Sequence, residues 1–369
     1  MYANYSQKLA KLIVSYSVNV QPGDKVLIST STNAEDLTKE IYREVLIAGG
    51  NIVRINFFFN GQEELFFKYS SDDQLKFVDP LYIETWKQID KMIAIYSSFN
   101  TKSLTNVLPE KKAIVAKAKT ELNKIYLERA AKKELLWNLS PYPCNAFAQE
   151  ANMGLEEYWE FAYNALSLYR DDPVTFWKEM ELNQDKIVEI LNEGSEMQII
   201  GEDTDLLLSI NDRIWKNSCG HENLPDGEVF TAPNEENVNG TVRFSYPGIY
   251  QGQEIEDVRL TFKDGKVVDY SAAKGNALLA EILEIPNADI LGELAVGTNY
   301  GIQQFTKNML FDEKMGGTIH LALGSGYPET GSKNESAIHW DLLKDMKDSE
   351  AKILLDGDII YKGGKWLIP

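Results

Sequence analysis

The sequence predicts an α/β protein in two parts: a mostly parallel α/β domain over residues 1–190 and a strand-rich α+β domain over residues 191–369. Short apolar runs alternate with helical patterns in the first half, which is typical of a parallel sheet covered by helices. Alternating strands separated by tight turns dominate the second half. The length of 369 residues also exceeds what one hydrophobic core usually serves, so two domains are expected.

The N-terminal half begins with an amphipathic helix, because residues 9, 12, 13 and 16 are apolar at helical spacing. A β-α-β unit follows, with strands expected at residues 26–28 and 52–55 and a helix that Asn33 caps and Gly49-Gly50 ends. Two more apolar runs, at residues 92–95 and 135–137, have helical sequence between them. Helical crossovers between successive strands make the sheet mostly parallel.

Residues 146–191 form a helical, aromatic-rich region, with a new helix expected to start at Asp171-Asp172-Pro173. Beyond it the pattern changes to strands. Asp264-Gly265 and Asp356-Gly357 each stand between apolar-rich runs, as in a two-residue hairpin turn. A further helix is expected over residues 276–283. The C-terminal half is therefore strand-rich, with few helices.

The net charge and the N-terminal sequence restrict which binding partners and which cellular compartment are expected. A net charge of −19 repels phosphate groups, so we expect neither nucleic acid nor a membrane as a partner. The N-terminal residues lack a secretory signal, and the apolar runs are too short to span a bilayer. Cys144 and Cys219 are expected to be reduced thiols. These features favour a cytoplasmic protein.

Two of the only three histidines, His320 and His339, have carboxylates close by in the sequence. In a strand, His339 and Asp341 would point to the same side, with Trp340 on the other. Imidazole and carboxylate together bind first-row divalent metals. The alternative is that His320 is a satisfied core histidine and His339 a surface one.

Six potential ligands lie on separate short elements of the second half, enough for two divalent ions that share a bridging group. They are Glu228, Glu293, Glu313, His320, His339 and Asp341. Glycines beside Glu228 and Glu293 are expected to let the backbone approach a ligand closely. By residue type alone, however, each of these two glutamates is more often a solvated or capping residue.

Other catalytic motifs fit poorly. The glycine-rich run over residues 324–333 ends in Ser332-Lys333, the reverse of the order in a phosphate-binding loop, and is instead expected to be an active-site loop that carries Tyr327. The sequence has no Gly-x-Ser-x-Gly elbow and no His-Glu-x-x-His helix. Cys219-Gly220-His221 lacks the orienting partner that a thiol nucleophile needs.

Four motifs in order along the chain resemble those of the aminopeptidase T and aminopeptidase S metallopeptidases. They are NLPDGEVFTAP at residues 223–233, GELAVGTN at 292–299, DEKMGGTIHLALG at 312–324 and HWD at 339–341. The resemblance implies an N-terminal α/β domain, a C-terminal metal-binding domain, two divalent ions per chain and a homodimer. It extends over the whole sequence.

By this resemblance, six residues match the metal-ligand positions of that family and Tyr327 matches its active-site tyrosine. The six are Glu228, Glu293, Glu313, His320, His339 and Asp341. The implied function is a cytoplasmic two-metal aminopeptidase acting on short peptides. The metal stays open among Zn, Co, Mn and Mg, and the general base stays open between Glu228 and Glu313. A two-metal esterase or phosphoesterase and a non-catalytic metal-binding protein are the alternatives.

Overall fold

The computed structural model describes residues 2–368, which divide into two compact units. Unit 1 comprises residues 2–176 and 220–225, and unit 2 comprises residues 177–219 and 226–368. The division after residue 176 falls inside the helix α10, Pro173–Glu193. The boundary predicted between residues 190 and 191 falls inside the same helix.

Unit 1 is built on a four-stranded parallel sheet in the order β2-β1-β3-β4. Its strands are β1 Lys25–Ser31, β2 Asn51–Phe58, β3 Lys91–Tyr96 and β4 Leu136–Pro141. Each of the four predicted apolar runs lies within or overlaps one of these strands. The mostly parallel α/β fold predicted for the first half is thus confirmed.

Helices precede, connect and follow the strands of unit 1. They are α1 Tyr2–Leu12, α2 Glu35–Ile47, α3 Gln62–Tyr69, α4 Asp72–Lys76, α5 Pro80–Gln88, α6 Pro109–Ala118, α7 Thr120–Ala131, α8 Asn145–Glu150 and α9 Leu155–Ala165. A π-helical turn, Ile13–Ser17, extends α1. The predicted cap Asn33 was wrong, because it lies in a 3-10 turn and its amide donates to the carbonyl of Ser98.

Unit 2 contains an eight-stranded antiparallel sheet in the order β13-β12-β9-β6-β5-β17-β18-β19. Its strands are β5 Glu196–Gly201, β6 Thr204–Ser209, β9 Val238–Arg243, β12 Arg259–Lys263, β13 Lys266–Ser271, β17 Lys352–Leu355, β18 Asp358–Lys362 and β19 Lys365–Trp366. The two predicted hairpin turns join β12 to β13 and β17 to β18. In both turns the two residues have positive φ, as a type I′ turn requires.

A second antiparallel sheet of unit 2 has five strands in the order β16-β15-β14-β8-β7. They are β7 Lys216–Ser218, β8 Glu228–Thr231, β14 Leu291–Gly297, β15 Thr318–Gly324 and β16 His339–Asp345. A short hairpin (β10 Gly248–Tyr250, β11 Gln253–Ile255) and two helices (α11 Asn276–Leu283, α12 Met309–Asp312) complete the unit. The predicted helix over residues 276–283 is α11.

One buried apolar cluster fills unit 2 and combines side chains from both large sheets with side chains from α10 and α11. Strands β14 and β15 are buried along their whole length, although only some of their residues belong to that cluster, every second one in β15. Ile319, Leu321 and Leu323 of β15 pack in the core, whereas His320 and Ala322 point to the opposite face. The sheet therefore has one apolar face and one face free for polar chemistry.

The helices of the described residues give no candidate for a membrane span, since none is both long and apolar enough. Cys144 and Cys219 are both buried, and no disulfide joins them.

Candidate metal centre

The polar face of the five-stranded sheet brings acidic and histidine side chains from four adjacent strands together. Glu293 of β14 pairs with Ala322 of β15, which pairs in turn with Asp341 of β16. Residues paired across strands share a face, and the small Ala322 leaves space between the two carboxylates. Two residues along, on the same face, His320 pairs with Ala295, another small residue.

The remaining predicted ligands border the same face. Glu228 is the first residue of β8, and His339 is the first residue of β16. Glu313 directly follows α12. Two groups have ligand atoms close enough to hold an ion, with all atoms of a group within 4.8 Å of one another. They are Glu293, His339 and Asp341, and Glu313, His320 and Asp341.

The first group is centred on His339. Its Nε2 lies 3.0 Å from Glu293 Oε2 and 3.3 Å from Asp341 Oδ1. Its Nδ1 lies 2.7 Å from the carbonyl oxygen of Ser325, which can only accept, so Nδ1 carries the hydrogen. A backbone contact of this kind fixes the tautomer and leaves Nε2 available as a ligand.

The second group is centred on His320, which is 1% exposed. Its Nε2 lies 3.7 Å from Glu228 Oε2 and 3.7 Å from Glu293 Oε1. Ligand atoms about 2.1 Å from a common ion lie roughly 3–3.5 Å apart, so these separations are close to those of a metal site. Glu228 and Glu293 thus both border His320, and Asp341 belongs to both groups.

The residues present fit a divalent metal. Glu228 Oε2 and His320 Nδ1 are buried and have no hydrogen-bond partner among the described residues. Leaving such atoms unsatisfied is costly unless a ligand occupies the space beside them. Glu228 and Glu293 are 5% and 4% exposed. The expectation from residue type alone, that each is a solvated or capping residue, is therefore wrong.

The carboxylates and imidazoles of the centre perturb one another. Burial raises the pKa of Glu228 to about 8, although Lys314 and His320 act against the shift. Burial also acts to raise the pKa of Glu293, but hydrogen bonds from His320 and His339 outweigh it and hold that pKa at about 2. Such divergent shifts within one cluster are characteristic of functional sites.

The two imidazoles are drawn toward their protonated forms in the absence of an ion. Burial opposes this, but the surrounding carboxylates raise the pKa of His320 to about 9 and that of His339 to about 11. Metal ligation requires neutral imidazole, so binding of a cation here displaces protons. The carboxylates thus attract positive charge whether or not an ion is bound. Without an ion this charge is carried by protons on the imidazoles, and with one it is carried by the cation.

Two charged residues of the centre were missed by the sequence reasoning. Lys314 is 2% exposed and its Nζ lies 2.8 Å from Glu313 Oε1, donates to Glu228 Oε1 and lies 3.6 Å from Asp226 Oδ1. Asp226 is fully buried. Both lie inside the four motifs, Lys314 directly after Glu313 and Asp226 two residues before Glu228. A lysine or an aspartate is rarely buried, so residue type alone did not indicate their positions.

Tyr327 lies in the glycine-rich segment, directly before a 3-10 turn over Pro328–Thr330. Its ring packs against Phe230 and against His339, at centroid distances of 5.6 and 5.2 Å. Burial and the nearby carboxylates, led by Glu293, raise its pKa above the ordinary value. The hydroxyl therefore stays protonated at neutral pH and can donate a hydrogen bond near His339.

Gly292, directly before Glu293, does not have the expected role of letting the backbone approach a ligand. A Cβ at Gly292 would lie 2.4 Å from the carbonyl oxygen of Gly324, and one at Gly297 would lie 2.1 Å from that of Met315. The close approach that these glycines permit is therefore to neighbouring backbone. It holds the segment that carries Glu293 against the end of β15.

Comparison with known proteins finds relatives that are aminopeptidases. Aminopeptidase 2 of Geobacillus stearothermophilus is 26% identical, over 97% of both chains. AmpS of Bacillus subtilis is 28% identical, over 98% of this chain and 99% of its own. Aminopeptidase T of Thermus thermophilus is 24% identical, over 98% of both. The present chain thus matches these aminopeptidases along nearly their full length.

The fold also matches a solved structure, wild-type AmpT from Thermus thermophilus, with a TM-score of 0.85, 22% identity and full coverage of both chains. This likeness confirms the fold class. The family model described as thermophilic metalloprotease (M29) matches residues 3–366. As the four motifs predicted, the chain belongs to the M29 family of metalloproteases.

Proposed function

We propose that the protein is an aminopeptidase that uses two divalent metal ions to remove N-terminal residues from short peptides. The observation that carries the proposal is the pair of ligand groups that share Asp341 on one face of a sheet. A carboxylate common to two groups suits a bridging ligand between two ions. The names of the relatives, all aminopeptidases, support the reaction type.

The proposed ligands divide between the two positions. Glu293 and His339 serve one ion, Glu313 and His320 serve the other, Asp341 serves both, and Glu228 lies beside His320. Zn, Co, Mn and Mg all accept such nitrogen and oxygen ligands. Bound ions of this kind supply a water of lowered pKa and stabilise negative charge on the attacked carbonyl oxygen.

The side chains of the protein provide proton transfer and a hydrogen-bond donor. The protonated hydroxyl of Tyr327, whose ring packs on His339, is the proposed donor to the developing oxyanion. One carboxylate must carry a proton from the attacking water to the leaving amine. Glu228 and Glu313 are the candidates, and Lys314 holds an oxygen of each. The base therefore stays open between these two.

Recognition of the free amine of the substrate would account for exopeptidase specificity. The free amine of a peptide is an ammonium ion at neutral pH, and an acidic pocket attracts it. An internal peptide bond offers no such group. Individual carboxylate oxygens of the centre therefore favour cleavage next to a free N-terminus, even where bound ions neutralise the set as a whole.

We expect N-acetylation of a tripeptide substrate to lower kcat/KM by a factor on the order of 10³ or more, since a site that recognises a polar group rejects analogues lacking it. The measurement compares the free and N-acetylated forms of one tripeptide on the metal-loaded enzyme. A C-terminally amidated tripeptide is the matched control, because its amine is intact, and it should still be cleaved.

Equal cleavage of the free and acetylated peptides would remove the aminopeptidase assignment. Hydrolysis of p-nitrophenyl phosphate or acetate in preference to all of the peptides would instead identify a two-metal phosphoesterase or esterase.

We further propose that the protein is a cytoplasmic homodimer. This rests on the family resemblance of the four motifs. The expectation that it binds neither nucleic acid nor membranes rests on its net charge of −19 and stays a prediction.

A further inference from the structure

Lys314 is one of the largest fully buried side chains of the protein, and it lies within the candidate metal centre. Its ammonium group contacts one oxygen each of Glu228, Glu313 and Asp226. A buried lysine is tolerated only when its charge is compensated at close range. The presence of a fixed cation between two proposed metal ligands therefore requires an explanation.

Asp226 stands behind the proposed ligands and belongs to neither ligand group. Its Oδ2 accepts a hydrogen bond of 2.9 Å from the hydroxyl of Ser218, and its Oδ1 accepts one of 2.9 Å from the backbone amide of Gly227. These bonds fix the carboxylate in place. Lys314 is thus held on one side by Asp226 and bonds Glu228 and Glu313 on the other.

The bonds of Lys314 determine which oxygens the two glutamates present. Lys314 takes Oε1 of Glu228 and Oε1 of Glu313. Glu228 Oε2, which makes no hydrogen bond among the described residues, faces His320 Nε2 at 3.7 Å. With Oε1 occupied, Glu228 has a single oxygen left for an ion and cannot swing to a bidentate position.

The charges of the centre also balance. The carboxylates are five: Asp226, Glu228, Glu293, Glu313 and Asp341. Together with the ammonium of Lys314, two divalent cations make this set neutral, whereas the same five carboxylates without Lys314 keep a net negative charge. Uncompensated charge in a buried site is strongly destabilising.

We propose that Lys314 is a positioning residue and a fixed counter-charge of the metal centre: it holds Glu228 and Glu313 with one oxygen each toward the ions, and it compensates part of their charge when ions are absent. The inference rests on the proposed two-metal function. It assigns a role to a residue that is not itself a ligand.

Lys314→Met tests this, because methionine keeps the length of the side chain and removes the charge. Without metal, the variant should unfold at a temperature on the order of 10 °C below that of the wild type. Added metal should narrow that gap, since the ions then neutralise the carboxylates. Metal content after loading should match the wild type, while kcat falls about 10- to 100-fold, as for other groups that orient ligands.

Lys344→Met is the matched control. Lys344 is also buried, at 1% exposure, but its Nζ donates to the carbonyl oxygens of Glu202 and Arg243, at 3.0 and 3.1 Å. Its replacement should lower the unfolding temperature by a similar amount with and without metal, and it should leave kcat unchanged. The control distinguishes the general effect of removing a buried lysine from the specific effect of removing the lysine of the metal centre.

The double variant Asp226→Asn with Lys314→Met separates charge from orientation, and it takes the place of the single variant if that one does not fold. Removing one negative and one positive charge together should recover metal-free stability relative to Lys314→Met. The low kcat should persist, because Glu228 and Glu313 are still not held.

Wild-type kcat in Lys314→Met, or an equal loss of stability with and without metal, would reduce Lys314 to a structural residue. Loss of bound metal in that variant would contradict the positioning role as well, because it would make the lysine necessary for loading. If the wild type itself binds no metal, the proposed function fails first, and the metal-free unfolding temperatures still test the counter-charge.

Discussion

Replacing His320 with alanine is expected to abolish turnover, with kcat/KM lower by roughly 10³ or more. His320 is central to the second ligand group, and its Nε2 lies 3.7 Å from carboxylate oxygens of both Glu228 and Glu293. Among the described residues, His320 is the histidine that forms this group with Glu313 and Asp341. The measurements are steady-state kinetics and the metal content of the purified variant.

His221→Ala is the matched control for this change, since His221 is the third histidine of the chain and lies in unit 1, where its ring packs on Tyr16 at 4.7 Å. It should keep its metal content. More than about a tenth of the wild-type kcat/KM in His320→Ala would be incompatible with a role as metal ligand.

Tyr327→Phe should lower kcat by roughly 10²–10³, comparable to the loss of one oxyanion donor, with metal content unaltered. Phenylalanine keeps the ring that packs on Phe230 and His339 and removes only the hydroxyl. Single-turnover and steady-state kinetics on the same peptide measure the effect. Because the ring contacts persist, a loss of this size can be attributed to the hydroxyl.

Tyr300→Phe is the corresponding control, because the hydroxyl of Tyr300 donates to the carbonyl oxygen of Gly364 at 2.8 Å. Its removal should cost about 1 kcal/mol of stability and leave kcat unchanged. A near-wild-type kcat in Tyr327→Phe would leave Tyr327 as a packing residue. Loss of bound metal would instead identify the hydroxyl as a ligand.

The parallel sheet of unit 1 could be predicted because each of its inner strands is a short apolar run between helical segments, and local sequence encodes that pattern. The hairpin turns at Asp264-Gly265 and Asp356-Gly357 were equally visible, since positive φ selects their residues. The strand order of the eight-stranded sheet could not be predicted, because β5 pairs with β17, a strand far along the chain. Local sequence carries no signal for such pairing.

The candidate site shows the same limit. His339 and Asp341 could be placed on one strand face by their spacing alone. The burial of Glu228 and Glu293 could not be predicted, because it depends on β8, β14 and β15 lying side by side. Neighbouring glycines and the resemblance of the motifs singled out these two carboxylates among the 56 acidic residues.

Lys314 was missed for a related reason. Lysine is among the least often buried residues, and its burial here follows from carboxylates contributed by distant parts of the chain. Its sequence context did carry a signal: it directly follows Glu313 and precedes the Gly316-Gly317 turn into the buried strand β15. A charged residue at the entrance to such a strand has little access to solvent.

The central claim is that the centre works with two ions, and stepwise metal reconstitution tests it most directly. The protein is freed of metal with a chelator, and peptide hydrolysis is measured while a single divalent metal is added in known amounts. Negligible activity without metal and a rise that reaches its plateau at two ions per chain are the predicted result. Activity in the metal-free protein, or a plateau at one ion per chain, would contradict it.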